Sequence, residues 1–527
     1  MKRITVEREK TGLFSPIANT LVYNQEELKD FIQSPFSKAT FKDQIERKKA
    51  GFTCKQRNTL HSVLKNNYGL ALTSDEVKAN IELLKNENCF TVTTGHQLSV
   101  LTGPLYFVLK IMHVVNLAKE LKKEYPDNDF IPVFWMASED HDFEEIQSLN
   151  LFNKKFTFES DQTGPVGKFT LDNWSEFMSP IKELFANHPD GEIQSVLNSY
   201  NGSNLTEATF NLVNELFKKD GLVIVDGDEK ELKQAFSPIA IEEIENQTSF
   251  HAVNSTNEKL LAAGHPTQAH AREINVFYCK KGIRERIKLD GDTVLIPSME
   301  AMSKTSATEY IANHPEEFSP NVILRPLYQE SILPNLCYVG GGGEMTYWLQ
   351  LKGVFEAYKV PYPLIQVRNS MMIIDPATQS KMETVSWGLE NLFGDIDAQK
   401  KDYVFANSEE LNFSSLEALT LALKNEVKTV IDTVNPGLNQ FGEAEMTKLQ
   451  KQIDSLQDKL IKAEKTKHDK ALKQMDQIKD RLFPNGGLQE RSQNFFNFCA
   501  DGEVSSHLAE IYTAIDSFEN DFIVLYL

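Results

Sequence analysis

About ninety residues of mixed polarity, with a helical repeat at 75–87, precede the first strong strand pattern, FTVTT at Phe90–Thr94, which ends at Gly95. A second run, FIPVFWMA at Phe130–Ala137, is almost wholly apolar, as a strand covered on both faces should be. Between them Thr102-Gly103-Pro104 marks a helix start, with Thr102 as cap and Pro104 at the first helical position, and the pattern continues to about Glu124. Strand, helix and strand over this length form the unit of a parallel sheet. The same order recurs in the helix TEATFNLVNELFKKDG and the strand Leu222–Val225, and further strands end at Val339 and near Val367. Together they predict an α/β fold built on one Rossmann-like parallel sheet.

The run at 98–118 carries Lys110 as its only formal charge and is long enough to be weighed as a membrane span. Gly103-Pro104 breaks it, and Lys110, His113 and Asn116 recur along the rest, so a helix buried against the sheet is expected. Between about 229 and 318 the pattern changes to a helix near 239–263, a hairpin VFYCKKGIRERIKL turning at Lys281-Gly282, and a helix at 306–313 capped through Ser306-x-x-Glu309. This block reads as an inserted subdomain. From about 386 the chain is mainly helical. Leu449, Ile453, Leu456, Leu460 and Ala463, then after a one-residue slip Ala471, Met475, Ile478 and Leu482, form a coiled-coil seam that stops at Phe483-Pro484-Asn485-Gly486-Gly487. A long rod and an antiparallel hairpin fit it equally, and a homodimer is favoured over a helix packed on its own core. The expected organisation is a helical lead-in at 1–89, the core at 90–228 and 319–385, the insert at 229–318, and a helical region at 386–527 with its coiled coil at about 443–482.

At 527 residues the chain exceeds one ordinary core, so two or three domains are expected. Its 55 Lys and Arg against 75 Asp and Glu give a formal charge of −20, which repels nucleic acid and anionic membranes and excludes both as expected partners. Cys54, Cys89, Cys279, Cys337 and Cys499 lie far apart, a pattern of reduced thiols and not of a disulfide framework or a Cys-held zinc. The opening MKRITVEREKTG has no apolar core of a secretory signal, so a cytoplasmic location is expected.

Ligands of an open parallel sheet collect where strands end at their carboxyl edge, and four polar clusters fall at such ends. The first is Thr94-Gly95-His96-Gln97 with Thr102-Gly103-Pro104-Leu105-Tyr106. Here glycine allows close backbone approach, the helix start favours phosphate, and His96 can donate as charge develops. A tight strand–helix turn explains the same residues structurally. The second is Ser138-Glu139-Asp140-His141-Asp142, with enough carboxylates and imidazole to hold an amine, act as base or ligate a metal, or else simply to cap a helix. The third joins Asn321, Arg325 and Gln329 to Gly340-Gly341-Gly342-Gly343-Glu344 and to Tyr347-Trp348, a glycine loop able to wrap a ligand before a helix, with the aromatic pair as core or as a stacking surface. The fourth is Arg368-Asn369-Ser370, suited to phosphate or carboxylate or to an ion pair. Met302-Ser303-Lys304-Thr305-Ser306 looks like a synthetase KMSKS loop but precedes the last strands, and it is read as a helix start.

Taken in order, TGHQ with TGPLY at 94–106, PVFWMASEDHDFEEI at 132–146, SPNVILRPLYQ at 319–329, LPNLCYVGGGGEMTYWLQLKGVFE at 333–356 and LFPNGGLQER at 482–491 closely resemble the bacillithiol biosynthesis cysteine-adding enzyme family. The resemblance spans most of the chain. It implies a Rossmann core related to class I nucleotidyl transferases and synthetases, helical insertions and a C-terminal coiled coil. It implies addition of L-cysteine to the amine of glucosaminyl malate, with ATP and magnesium activating the cysteine carboxylate. By position, TGHQ–TGPLY takes the place of the synthetase HIGH loop and Arg368-Asn369-Ser370 that of KMSKS, although neither matches the consensus. His141, Asp140, Glu139 and His96 are then the catalytic candidates, with His141 as base. Thr94, Gly95, Gln97, Thr102, Gly103, Tyr106, Asn321, Arg325, Gln329, Gly341, Gly342, Glu344, Tyr347, Trp348, Arg368 and Ser370 would line the substrate and nucleotide sites, Arg325 and Arg368 holding the malate carboxylates. No metal ligand set is expected. A metal-dependent amide hydrolase acting on the same amino sugar, and a coiled-coil scaffold without catalysis, are the competing readings.

Overall fold

Five strands carry the core of the computed structural model, which describes residues 2–69, 74–408 and 412–527. They are β1 (Cys89–His96), β2 (Asp129–Met136), β3 (Val223–Asp226), β4 (Asn335–Gly340) and β5 (Leu364–Val367). All pairs are parallel, in the order β5-β4-β1-β2-β3. The chain runs outward from β1 through β2 and β3, then returns to β4 on the other side of β1. The carboxyl ends of β1 and β4 therefore flank the switch point where such sheets bind ligands. β1 and β2 stay in unbroken register from Cys89 opposite Asp129 to His96 opposite Met136.

Helix α1 (Tyr106–Glu124) covers the sheet and starts later than Thr102-Gly-Pro predicts. Leu101, Thr102 and Gly103 instead hold φ of 45°, 66° and 58°, and the Asn494 amide donates to the Leu101 and Gly103 carbonyls at 2.6 Å each. The Leu105 N–H donates to the Gln493 carbonyl at 2.7 Å. Distant chain thus does the work assigned to a Thr102 cap. Gly103 is required for space as well as φ, since a Cβ there would lie 2.6 Å from the Ser99 Cβ.

The polar residues that argue against a membrane span are all buried in α1 and all paired. Lys110 reaches the Gly95 carbonyl and Glu344, His113 reaches Gln366, and the Asn116 amide donates to the Ile515 carbonyl. Among the described residues no helix is long and apolar enough to cross a membrane.

His113 sets a pH limit. Its Nε2 faces the Gln366 carboxamide oxygen at 3.1 Å and its Nδ1 accepts the Asn369 N–H at 3.2 Å, so a second proton has no acceptor. Burial, with Arg368 and Arg8 adding to it, lowers its pKa to about 4. The unfolded chain, near about 6.5, binds the proton first, so stability falls as pH drops from there toward 4. Urea unfolding at pH 7 and pH 4.5 should show the native chain losing about 2–3 kcal/mol more than His113→Asn over that interval. Equal losses would remove His113 as the cause.

In the insert, the helix expected near 239–263 is two helices, α2 (Lys230–Asn246) and α3 (Thr248–Ala262), broken at Gln247 with φ 49°. The hairpin Val276–Lys280 and Ile283–Arg286 forms as read, joined by Phe318–Pro320 as a third antiparallel strand. MSKTS does start a helix, but Ser303 caps it by accepting the Ser306 N–H at 3.1 Å, in place of the box at Ser306. Helices α4 (Leu324–Ile332) and α5 (Gly342–Trp348) flank β4 in sequence.

The chain divides into two compact units, one running to Ile373 and resuming at Gly487–Leu525, the other Ile374–Gly486. Residues 487–525, read from sequence as part of the C-terminal helical region, thus belong to the first unit. The second unit contains α6 (Ser414–Val434), α7 (Asn439–Lys467) and α8 (Asp469–Leu482). The slip in the seam is the break at His468. α6 and α7 pack as a hairpin across a four-residue link, and α8 buries Leu472, Met475, Ile478 and Leu482. Leu456 and Leu460 are 51% and 45% exposed, as are Leu419, Leu421 and Val434 to greater degrees, so part of the seam is uncovered within one chain.

Candidate active site

A cavity of about 840 Å³ opens at the carboxyl ends of β1, β2 and β4, walled on its far side by the insert. Gly95 is needed there because a Cβ would stand 2.9 Å from the Tyr338 hydroxyl. Beneath it the buried Lys110 ammonium donates to the Gly95 carbonyl at 2.8 Å and to Glu344 Oε2 at 2.6 Å. The other Glu344 oxygen accepts the Tyr338 hydroxyl at 2.6 Å. Burial alone would raise the Glu344 pKa, but Lys110 and Arg325 outweigh it and hold the carboxylate below its ordinary value. Arg325 lies over the Tyr338 ring at 5.5 Å and donates to Gln329 at 3.1 Å. These groups form a fixed, charged floor.

The acidic end of β2 splits into two sites. Glu139 turns inward to the fully buried Lys233 ammonium at 2.6 Å, which also holds Asp228 at 2.8 Å, while the Ser138 hydroxyl donates to Asp226. Burial and the Asp228 charge push Asp226 up to about 7. Glu139 still lines the cavity, together with Asp140 and His141. Asp140 accepts the Gln97 amide at 2.7 Å and the His141 N–H at 2.7 Å, with Arg284 at 3.9 Å. Burial raises its pKa, yet these partners more than reverse that, keeping the carboxylate ionised. Gln97 also reaches Glu145 at 3.1 Å.

His141 does not stand as the free base expected from sequence. Arg284 donates to its Nδ1 at 2.7 Å, so that lone pair is occupied and the neutral ring carries its proton on Nε2. The remaining ring nitrogen is then a donor.

A second cavity of about 740 Å³ lies across the same wall, with His96, Lys110, Gly343 and Glu344 lining both. Arg8, Tyr106, Arg368, Ser370 and Arg491 add to the second cavity. His96 places Nδ1 2.9 Å from the Gln97 carbonyl, leaving Nε2 unprotonated, and burial, with Lys110 adding to it, lowers its pKa to about 4. Arg368 faces Glu490 with both terminal nitrogens, at 2.9 and 2.7 Å, and both buried side chains border this second cavity. The four glycines are no flexible wrap: none has a positive φ, Gly341 precedes α5, and Gly342 and Gly343 are its first turn. Gly340 is tight, a Cβ there meeting Met345 at 2.5 Å, whereas Gly341 is open to the cavity.

Several predicted site residues serve the scaffold. Thr94 donates across the sheet to the Val339 carbonyl at 2.7 Å, and Thr102 and Gly103 shape the turn before α1 without lining either cavity. Asn321 lines the main cavity, but its carboxamide oxygen accepts the Ile323 and Leu324 N–H groups at 2.9 and 3.2 Å, starting α4. Gln329 supports Arg325 from behind. Trp348 is core, stacked on Tyr338 at 4.4 Å and 20°, while Tyr347 reaches the cavity. Sequence reading missed Lys110, Glu145 and the insert residues Gln268, His270, Arg272, Arg284 and Arg286. A signal was present in the alternation Q-x-H-x-R and R-x-R, which puts like residues on one side of an extended chain. Among the described residues no three His, Cys, Asp or Glu converge where one metal ion could take them.

Residues 1–369 match the family described as bacillithiol biosynthesis BshC, N-terminal Rossmann-like domain, and residues 371–527 match its C-terminal coiled-coil domain. The chain belongs to this BshC family. Proteins named "Putative cysteine ligase BshC" are similar to it along most of their length. The one from Flavobacterium johnsoniae is 38% identical over 94% of each chain, and that from Cytophaga hutchinsonii 38% over 87% of each. That from Christiangramia forsetii is 35% identical over 98% of this chain and 97% of its own. The BshC boundary between 369 and 371 falls close to the end of the first compact unit at Ile373, whereas Gly487–Leu525 lie within the coiled-coil match but belong to that first unit.

Proposed function

We propose that the chain is a ligase that joins the carboxyl group of L-cysteine to the amine of glucosaminyl malate, using ATP and magnesium to activate that carboxylate. The observation that carries this reading is the pair of cavities meeting at the switch point over one wall of His96, Lys110, Gly343 and Glu344. A ligase of this kind brings together an activated acid and an amine, and two chambers with a common wall suit that task. The cationic second cavity fits the chemistry of a phosphate-bearing co-substrate. Arg8, Lys110 and Arg491, with the open backbone at Gly341, would hold its phosphates, and it would supply the leaving group on the carboxylate. In the main cavity the ionised Asp140 would accept an N–H of the sugar amine, and His141 Nε2–H would donate to a sugar or acyl oxygen. Enzyme, glucosaminyl malate, cysteine and ATP incubated together should yield the cysteinyl product in a mass spectrum, with AMP or ADP formed in step. Product without ATP, or cleavage of an amide in its place, would reject the reading in favour of other chemistry.

A homodimer through α6–α7 is part of the proposal, resting on the apolar side chains left uncovered there. Leu456→Lys with Leu460→Lys should convert the dimer to monomer in light scattering. An unchanged mass would place the interface elsewhere.

A further inference from the structure

Four arginines line the main cavity, and two of them are already spent. Arg284 uses all three nitrogens, on His141 Nδ1 at 2.7 Å, Ser319 Oγ at 3.3 Å and the Pro320 carbonyl at 3.1 Å. Arg325 is held by Gln329 and Tyr338. Arg272 and Arg286 differ. Among the described residues neither guanidinium has a hydrogen-bond or carboxylate partner, although both face a cavity that contains Glu139, Asp140, Glu145 and Glu344.

Their mounting is rigid even though their ends are open. Arg272 sits on an extended stretch whose alternate residues, Gln268, His270 and Arg272, line the cavity while Ala269 is buried. The buried Gln350 accepts the Gln268 and Ala269 N–H groups at 2.8 Å each and donates to the Ala269 carbonyl at 2.8 Å. The buried Asn275 accepts the Arg272 N–H at 3.0 Å and donates to the Arg272 carbonyl at 2.7 Å. Two interior carboxamides therefore fix the backbone of a stretch that has no regular structure of its own. Arg286 pairs with Phe277 across the hairpin, and the Phe277 ring has the Arg284 guanidinium at 4.3 Å and that of Arg286 at 5.7 Å. Arg284 in turn ties this hairpin to His141. Buried polar groups that hold an otherwise irregular strip, with unpaired planar cations at its edge, are the features of a built anion site. The chain's overall charge of −20 repels a dianion, so local cations of this kind are what would admit one.

We propose that Arg272 and Arg286 form a clamp for a four-carbon dicarboxylate, and that they, not Arg325 or Arg368, recognise the malate end of the acceptor. The assignment rests on the acceptor proposed above. With malate held at the insert, the attached amino sugar reaches toward Asp140 and His141, which Arg284 joins to the same hairpin. The acceptor is thus selected by its acidic end and reacts at its amine end.

The test is calorimetric titration of the full-length protein with glucosaminyl malate and with the methyl glycoside of glucosamine, which lacks the dicarboxylate. Arg272→Gln and Arg286→Gln should each weaken glucosaminyl malate at least 10-fold, and the pair at least 100-fold, with methyl glycoside binding and the thermal midpoint unchanged. Arg272→Lys and Arg286→Lys, which keep charge without the planar fork, should lose less. Lys281→Gln, in the hairpin turn outside the cavity, should bind as the native chain does. Binding within twofold of native in both glutamine variants would overturn the clamp, as would an equal loss in Lys281→Gln or no binding of glucosaminyl malate by the native protein. Clamp-dependent binding without product formation would sink the ligase reading and leave the clamp standing. Product formation with an unchanged acceptor KM in both variants would do the reverse.

Discussion

Glu490→Gln should destabilise the protein by about 3–5 kcal/mol, the usual cost of stripping one partner from a buried ion pair. Glu490 is 1% exposed, and its carboxylate takes both terminal nitrogens of Arg368 and also the Met371 N–H at 2.8 Å. Arg8 adds a second buried guanidinium, whose pKa burial lowers to about 10 while Glu490 raises it. Once a neutral carboxamide replaces the Glu490 carboxylate, Arg368 keeps its charge inside the protein and loses its counter-ion. The double variant Arg368→Met with Glu490→Gln should recover part of the loss, because Arg368 then leaves no unpaired charge and only Arg8 still lacks the Glu490 carboxylate. Urea unfolding of the two single variants and the double variant measures this coupling. If Arg368 were instead a ligand-binding residue with Glu490 as an incidental neighbour, Glu490→Gln would cost under about 1 kcal/mol and would change ligand affinity first.

That outcome bears on how a sequence of this kind should be read. The sheet was legible because strands covered on both faces are continuous apolar runs, as in FIPVFWMA, and because glycine or acid marks their ends. The position of the site followed, since a β5-β4-β1-β2-β3 order has one switch point and the quoted clusters end on the strands around it. What each residue does there was not legible, because the deciding partners lie far along the chain. Glu139 and Asp140 are neighbours in sequence and both line the cavity, yet the buried Lys233 pairs with one and Gln97 with the other. Arg368 reads as a free cation until Glu490 is placed beside it. Thr102 reads as a helix cap until Asn494 takes over the turn. Lys110 registers in sequence only as a flaw in an apolar run, whereas its partner Glu344 makes it part of the floor. Arg272 and Arg286 belong to an insert that has no strand-end signal at all. Local pattern specifies elements, while charge pairing across hundreds of residues specifies which polar groups remain free for a ligand.

Asp140→Asn and His141→Asn should each lower turnover by roughly 100-fold or more, the loss expected when a positioned proton acceptor or donor is removed from a reaction. The two substitutions act through different atoms. Asparagine in place of Asp140 keeps an oxygen for one of the two donors, Gln97 and the His141 N–H, but has no negative charge to receive an amine N–H. Asparagine in place of His141 puts its carboxamide where the imidazole has Nδ1, so it still accepts from Arg284 and deletes only Nε2. The hairpin contact is thereby kept while the remaining ring donor is lost. Both side chains sit at the cavity surface, so stability should change by at most about 1 kcal/mol and the mass of the assembly should not change. His141→Gln provides the complementary case. Its amide reaches the Nε2 position and gives up the acceptor for Arg284, so partial activity with looser acceptor binding is expected. Turnover and thermal midpoint measured together for the three variants separate the roles. Native turnover in Asp140→Asn and His141→Asn would reduce this strand end to a helix cap with no part in the chemistry. A fall in turnover at an unchanged midpoint would place the amine of the acceptor beside Asp140, on the β1–β2 side of the switch point.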